Sequence, residues 1–236
     1  MNDDYCSDSW LSAILEKDSF HFSEKNFSQD LFEKFLKDLK SKPLFADIKI
    51  STENIPLIEL ITKMGFYLID TNVTFEKSLD ISKENAMGQL VIRKSSPSDM
   101  ESVNSIASKC FKFTRFHLDP RTQVFANKIK QKWVENFYHG KRGDHMLVAL
   151  KDNKIVGFNQ ILLKHNGAII DLIGVDENFQ KQGVGNQLIG QLNTLIPDVS
   201  SIVVGTQISN IPSLRFYEKN DFKIIKSQYV FHYHLS

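Results

Sequence analysis

The chain of 236 residues is 42% hydrophobic and 24% charged with only 11 glycines and 6 prolines, which excludes collagen-like, low-complexity and disordered polymers and suffices for one large domain or two small ones. Lys and Arg number 29 against 28 Asp and Glu, a net charge of +1, so nothing draws the chain to nucleic acid or anionic lipid, and a small-molecule partner is expected. Two isolated cysteines, Cys6 and Cys110, argue against a disulfide scaffold or structural zinc and for a reducing, cytoplasmic setting. The acidic opening of the chain and the lack of any apolar run of about 18 residues argue against secretion and membrane insertion.

In chain order, Leu31, Phe32, Phe35, Leu36 and Leu39 recur at helical spacing behind Ser28, a candidate N-cap, and Pro43 follows. Residues 44–50 alternate as a strand, 55–64 suggest a helix closed by Gly65, and 66–75 are rich in strand formers. The polar stretch 78–88 has no apolar periodicity and is the candidate linker. A strand over 89–94 leads to Ser96-Pro97-Ser98-Asp99, a helix start, and that helix should reach Cys110. Phe125, Ile129, Trp133 and Phe137 step by four toward Gly140, with Lys128, Lys130 and Lys132 read as a solvated helix face. Strands over 145–150, 155–164 and 168–175 are joined by Asp152-Asn153 and Asn166-Gly167, which have hairpin turn chemistry. A helix over 184–196, a strand over 202–206, a helix over 212–219 and a strand over 222–234 complete an α/β pattern.

An internal similarity runs through this order. Asn54-Ile55-Pro56 recurs as Asn210-Ile211-Pro212, and at the same offset Lys63 matches Lys219, Phe66 matches Phe222, Ile69 matches Ile225 and Phe75 matches Phe231. Chance among common helix-end and strand residues is the competing reading. The repeat predicts two related domains, a degenerate one over 1–85 and a complete one over 86–236.

The stretch with most chemical content is 168–191, where a strand ends at Val175 and Gln180-x-x-Gly183-x-Gly185 opens a helix. Glycines remove the Cβ atoms that would hold a phosphate off the backbone, and N–H groups at a helix start have no internal partner, so such a turn suits a diphosphate. A dinucleotide fingerprint would need glycine at Leu188, and a P-loop would need Lys-Ser/Thr after Gly190, so both are excluded.

Gln180-x-x-Gly183-x-Gly185, five residues beyond the strand-end Val175, resembles instead the acetyl-CoA loop of the GNAT superfamily of N-acetyltransferases. The segment from Asn210 to Phe222, with Asn210 and Tyr217 two turns apart on one helix face, looks like that family's last helix, although Asp221 stands where the family has Gly. The resemblance spans 89–236. It implies a mixed, mostly antiparallel sheet flanked by helices, preceded by a smaller degenerate copy, with no metal and with acetyl-CoA as co-substrate. The cofactor-binding positions it implies are Ile173, Gly174, Val175, Gln180, Lys181, Gln182, Gly183, Val184, Gly185, Asn186 and Asn210, and Tyr217 becomes the general acid. The first copy has no such loop and carries Ile61 where Tyr217 stands, which implies one active site.

The two-part layout, Val73-Thr74-Phe75-Glu76-Lys77 and the segment 113–119 resemble the TDP-fucosamine acetyltransferase group, which implies a TDP-linked amino sugar as the acceptor. Arg115 and Arg121 are then candidates for its diphosphate and His117 and Asp119 for sugar hydroxyls. His117, Asp119 and Glu135 are unranked candidates for the base, with an ordered water an equal alternative. His232 and His234 share a strand face but have no evident third ligand, so no metal site is expected. A protein or peptide N-acetyltransferase and a non-catalytic acyl-CoA sensor are the rival readings, and a homodimer is left open.

Overall fold

The computed structural model describes residues 4–39, 43–79, 90–165, 167–197 and 199–235. The first half contains β1 (Tyr5–Ser7), α1 (Ser9–Leu15), β2 (Asp18–Phe22), α2 (Gln29–Asp38), β3 (Leu44–Ser51), α3 (Ile55–Lys63) and β4 (Tyr67–Ser78). The second begins with β5 (Val91–Lys94), α4 (Met100–Cys110), α5 (Arg115–Leu118), α6 (Ala126–Tyr138), β6 (His145–Lys151), β7 (Lys154–Lys164) and β8 (Gly167–Val175). It ends with α7 (Val184–Gly190), α8 (Leu192–Leu195), β9 (Ser201–Gln207), α9 (Ile211–Lys219) and β10 (Lys223–Leu235). Of the linker expected over 78–88, Ser78 ends β4. Residues 80–88, with the boundary at 85/86, lie outside the described residues.

The capping residues act as their chemistry predicts. Ser28 accepts from Leu31 N–H, Ser96 and Asp99 form a capping box, and Gly65 leaves α3 at a φ of 92°. Asp152 and Asn153 make the β6–β7 turn with φ 49° and 60°, whereas Asn166 of the next turn lies outside the described residues. Asp221 takes the left-handed conformation (φ 64°) that the family's glycine would hold. The helix expected over 184–196 is interrupted at Gln191 into α7 and α8. β1, α1 and β2 have no counterpart in the predicted elements. β3 is buried from Leu44 to Ile48 without alternation, because helices cover both its faces.

The described strands form one mixed sheet in the order β1-β2-β3-β10-β4-β9-β8-β7-β6-β5. Only the β2–β3 and β8–β9 pairings in it are parallel. α7, α8 and α9 pack on one face of the second half through Val184, Leu188, Leu192 and Tyr217, while α4 and α6 cover the other through Val103, Ile106 and Val134. In the first half α2 and α3 build an aromatic core of Phe22, Phe32, Phe35 and Phe66 against Ile48 and Phe231. α1 and α5 close over Phe45 on the opposite face.

The repeat has a spatial counterpart. α3 and α9 superpose in sequence residue for residue, Ile55 on Ile211 through Lys63 on Lys219, and the strands on either side follow at the same offset. Each half lends its last strand to the other: β10 pairs with β3, β4 pairs with β9, and β4 and β10 lie side by side. The last parallel rungs, Phe22 with Ile48 and Ile170 with Val204, also occupy matching positions on β3 and β9.

Candidate functional site

β8 and β9 are hydrogen-bonded neighbours only from the Gly167–Ser201 rung to the Ile170–Val204 rung. Beyond that β8 continues to Val175 and β9 to Gln207 without pairing to each other. The cause is local. Leu172 pairs with Gln160 and Ile170 with Ile161 of β7, so Asp171 is an extra residue, and a bulge re-aims the strand at the point of separation. The bulge is held by a tight polar clamp: Asp171 Oδ2 accepts from Trp133 Nε1 and Arg142 Nε, both at 2.7 Å, and Oδ1 accepts from Arg142 Nη2 at 2.7 Å.

At the end of β8 a turn at Glu177–Phe179 leads into the glycine loop. Gln180 Nε2 donates to Val175 O at 3.2 Å, and Gln182 receives Lys151 Nζ at 3.2 Å and donates to Asn178 O at 3.0 Å. Lys181 (φ 61°) and Gly183 (φ 83°) are left-handed, and Gly183 caps α7 with no side chain, so among the described residues the first N–H groups of α7 have neither side-chain nor intrahelical acceptors. A Cβ on Gly183 would meet nothing closer than 3.9 Å, which leaves the loop open outward. Gly185 has a different reason: its Cβ would lie 3.0 Å from the Phe216 ring, so it allows α7 to approach α9. Gly174 likewise abuts Cys110 and Phe158, and buried Val184 packs over Gly157. Asn186 accepts from Asn220 Nδ2 at 3.1 Å, and Ile173 packs against the second-half core.

Asn210 caps α9, its Oδ1 accepting from Ser213 N–H at 3.3 Å. Two turns on, Tyr217 is 4% exposed among Phe75, Phe216 and Phe222, whose ring centres lie 5.3–5.6 Å away. Burial pushes its phenol above the ordinary range, so it remains protonated.

On the opposite face of the sheet a cleft of about 1570 Å³ lies between the halves. Trp133 and Arg142, both bonded to the bulge residue Asp171, form part of its wall, and Trp10 meets Trp133 edge-to-face at 5.8 Å. Its lining contains eight lysines and arginines against three carboxylates. At the first-half end His21 is held between Asp47 (2.7 Å) and Asp8 (2.9 Å), and Arg115 Nη1 lies 2.8 Å from Asp47. Burial opposes the charge on His21, but the two carboxylates override it and raise its pKa to about 9. Burial likewise opposes ionisation of Asp47, and Arg115 and His21 hold it below the usual carboxylate range. Sequence reasoning missed this cluster. Its one signal was an acid, Asp47, in the middle of an apolar strand.

The four acceptor-site candidates separate. Arg115 lines the cleft. His117 bonds Thr114 Oγ1 at 2.7 Å and Asn127 Oδ1 at 3.0 Å, and Arg121 lies over the Tyr67 ring at 5.1 Å; neither faces the cleft. Asp119 is fully buried and corrects two expectations. It is inaccessible to a sugar or an amine, because Oδ2 accepts from His232 Nδ1 (2.7 Å), His234 Nε2 (2.9 Å) and Tyr67 Oη (3.1 Å), and Oδ1 accepts from Arg121 N–H (2.9 Å). It is also the third member that the histidine pair lacked in sequence. The three ligand atoms lie within 4.8 Å of one another, a set that could hold a metal, but here the carboxylate oxygen takes the central position and bonds both rings. Glu135 pairs with Lys132 at 2.6 Å. Lys130 departs from the solvated face expected for it: it lies 4.4 Å from the Trp133 ring centre and 5.2 Å from that of Phe111, and burial lowers its pKa to about 8.

Among the described residues no helix is long and apolar enough to cross a membrane. In sequence, the chain is 28% identical over 140 residues to the spore coat polysaccharide biosynthesis protein SpsD of Bacillus subtilis; the aligned region is 58% of this chain and 48% of SpsD, so the chain spans about half the length of that relative. In structure it is similar to a conserved protein of unknown function from Staphylococcus epidermidis (TM-score 0.65, 17% identity, 91% of this chain and 84% of that one). It is also similar to a GCN5-related N-acetyltransferase from Sphaerobacter thermophilus (TM-score 0.61, 12% identity, 92% and 73%). Both likenesses concern the fold. A sequence model of the Acetyltransferase (GNAT) family matches residues 100–222, which contain the separated strands, the glycine loop and α9, and more than half of the chain; the protein therefore belongs to the GNAT acetyltransferase family.

Proposed function

We propose that the protein is an acetyl-CoA-dependent N-acetyltransferase with one active site, in residues 86–236, preceded by a degenerate copy over 1–85. The observation that carries this reading is the end of the β8–β9 ladder at Ile170 and Val204, with the glycine loop on one side of the gap and the basic cleft on the other. A thioester can enter from the first side and an amine from the second.

The residues then divide the work. The backbone from Gln182 to Asn186 cradles the diphosphate at the start of α7, supported by Lys181 and by Gln180, which ties the loop to Val175. The free edge of β8 from Asp171 to Val175, with Ile173 and Gly174, holds the pantetheine arm and donates to the thioester oxygen as negative charge develops there. Holding amine and thioester within reacting distance supplies most of the acceleration. The amine forms the C–N bond to give a tetrahedral oxyanion, its collapse breaks the C–S bond, and Tyr217, held neutral by burial, gives its proton to the departing thiolate and regains one from solvent before the next turnover. The proton lost by the amine passes to solvent in the cleft.

The acceptor we infer is the 4-amino group of a nucleotide-linked deoxysugar, TDP-linked by the resemblance. Support comes from the cleft: Arg115, Lys128, Lys132, Lys141 and Arg142 suit a diphosphate, and Trp10 and Trp133 suit a base. SpsD, by its name a polysaccharide biosynthesis protein, is consistent with a sugar acceptor. Thiol release from acetyl-CoA is to be compared for TDP-4-amino-4,6-dideoxygalactose, its 4-amino epimer, a free amino sugar and a peptide amine. The nucleotide sugars should react fastest, because remote binding energy holds the amine in place. A peptide acetylated faster than every nucleotide sugar would remove the sugar reading, and no thiol release with any amine would remove the enzyme reading.

A further inference from the structure

In each half a parallel strand pair ends on the matching rung, Phe22–Ile48 and Ile170–Val204, and beyond it the halves part. In the second half β8 runs on past Ile170, and the gap beside β9 opens. In the first half β2 stops at Phe22, the chain turns through Glu24–Asn26, and the Glu24 side chain folds back against the end of β3. Both its carboxylate oxygens accept from Ser51 N–H at 3.0 Å, and Oε1 also accepts from Asn54 Nδ2 at 3.0 Å.

These two donors have counterparts in the second half at the repeat's offset, Gln207 for Ser51 and Asn210 for Asn54. Asn54 and Asn210 share their backbone geometry (φ −85° and −84°, ψ 64° and 63°), and each caps the helix that follows. Direction is conserved as well. Thr52 N–H donates across to Ser227 O of β10 and Ile208 N–H to Thr71 O of β4. Since N–H groups alternate along a strand, the preceding Ser51 and Gln207 N–H groups point the other way, toward the parallel neighbour. Ser51 meets Glu24 there. Gln207 N–H has no acceptor among the described residues, and Asn210 Nδ2 reaches only the Thr206 hydroxyl at 3.4 Å.

We propose that Glu24 is a built-in ligand of the first half: its carboxylate fills an oxygen-binding site whose open counterpart adds Gln207 N–H to Asn210, already a cofactor-binding position by the family resemblance, and receives a carbonyl oxygen of the ligand lying between β8 and β9. The second clause rests on the acyl-CoA reading above. The first half is thereby closed to a ligand by its own side chain, and the occupant marks where the second half binds. Two neutral donors suit a carboxylate or an amide or acyl carbonyl equally.

Backbone hydrogen exchange on the intact chain, with and without saturating CoA, reads both sites. Ser51 should be protected in both states, and Gln207 should slow by at least about fivefold when CoA is bound. Glu24→Ala should deprotect Ser51, and acetate should restore that protection where chloride at equal ionic strength does not; Glu24→Gln, which keeps a carbonyl, should retain most of it. Equal Ser51 protection in wild type and Glu24→Ala overturns the built-in ligand. If calorimetry detects CoA binding yet Gln207 exchanges at an unchanged rate, the counterpart site is overturned. Absence of CoA binding would instead defeat the acyl-CoA reading and leave the Glu24 assignment to be decided by Ser51.

Discussion

The helix α3 of the first half and α9 of the second begin alike, with Asn-Ile-Pro and the same cap, and bury the same face. Yet the residue that each presents to the core seven positions after the cap differs: Ile61 is fully buried with nothing to donate, while Tyr217 keeps a protonated hydroxyl beside Phe75. The strands before them also start alike. β2 is cut short and its gap is filled by Glu24, whereas β8 bulges at Asp171 and leaves a free edge beside an open glycine loop. A repeat of this kind preserves packing positions in both copies, because each copy lends a strand to the other's sheet and neither can be lost without exposing the other. On the proposed function, chemistry is tied to one copy only, which leaves the first free to carry a methyl-bearing side chain in place of a phenol and an internal carboxylate in place of a groove.

The largest effect is expected from Tyr217→Phe, which leaves the second copy, like the first with Ile61, without a proton to donate at this position. Turnover should fall by roughly 10²–10⁴-fold with CoA affinity nearly unchanged. Stability should hold, because no hydrogen bond to the phenol oxygen is present among the described residues. Gly183→Asp ranks next. It places a carboxylate where diphosphate is expected, at a left-handed position that Asp tolerates, so CoA affinity should drop by at least about tenfold while the thermal midpoint moves little. Calorimetry and a melting curve check the pair.

A matched pair of cap substitutions sharpens the comparison. Asp caps a helix as well as Asn does. Asn210→Asp should therefore leave stability within about 0.5 kcal/mol. Asn54→Asp sets a carboxylate against Glu24 where a donor stood 3.0 Å away, and should cost about 1–3 kcal/mol by denaturant unfolding. The smallest effect concerns the cleft between the halves. The pKa of His21, raised from 6.5 to about 9, means that its contribution to stability is complete below pH 6.5 and is lost as pH rises through 9. Lys130, lowered to about 8, acts in the opposite sense, so the wild-type minus His21→Asn difference in melting temperature isolates the histidine and should shrink between pH 6.5 and 9.5.

Much of the fold was legible because local signals and packing agree. Ser28, Gly65, the Ser96-Pro97-Ser98-Asp99 box and Asp152-Asn153 each mark an element end by short-range chemistry. β1, α1 and β2 were illegible because they are only three to seven residues long, and their order comes from tertiary partners: β2 pairs with β1 and β3, Phe22 joins the aromatic core, and Leu11, Ile14 and Leu15 of α1 pack against Phe45. Within the site, the glycine loop could be read from sequence because it is contiguous. The Asp8–His21–Asp47–Arg115 cluster and the Asp119–His232–His234 cluster could not be, since each joins residues that only the interleaved strands bring together. Lys130 illustrates a third limit: helical spacing places a lysine on the polar side, but Trp133 and Phe111 close over it.

Two related halves with one acyl-CoA site should bind one CoA per chain. Isothermal titration of the intact chain with CoA tests it directly. One site per chain, weakened at least about tenfold in Gly183→Asp and retained in Glu24→Gln, is the predicted result. No binding, two sites per chain, or a single site of unchanged affinity in Gly183→Asp would contradict it.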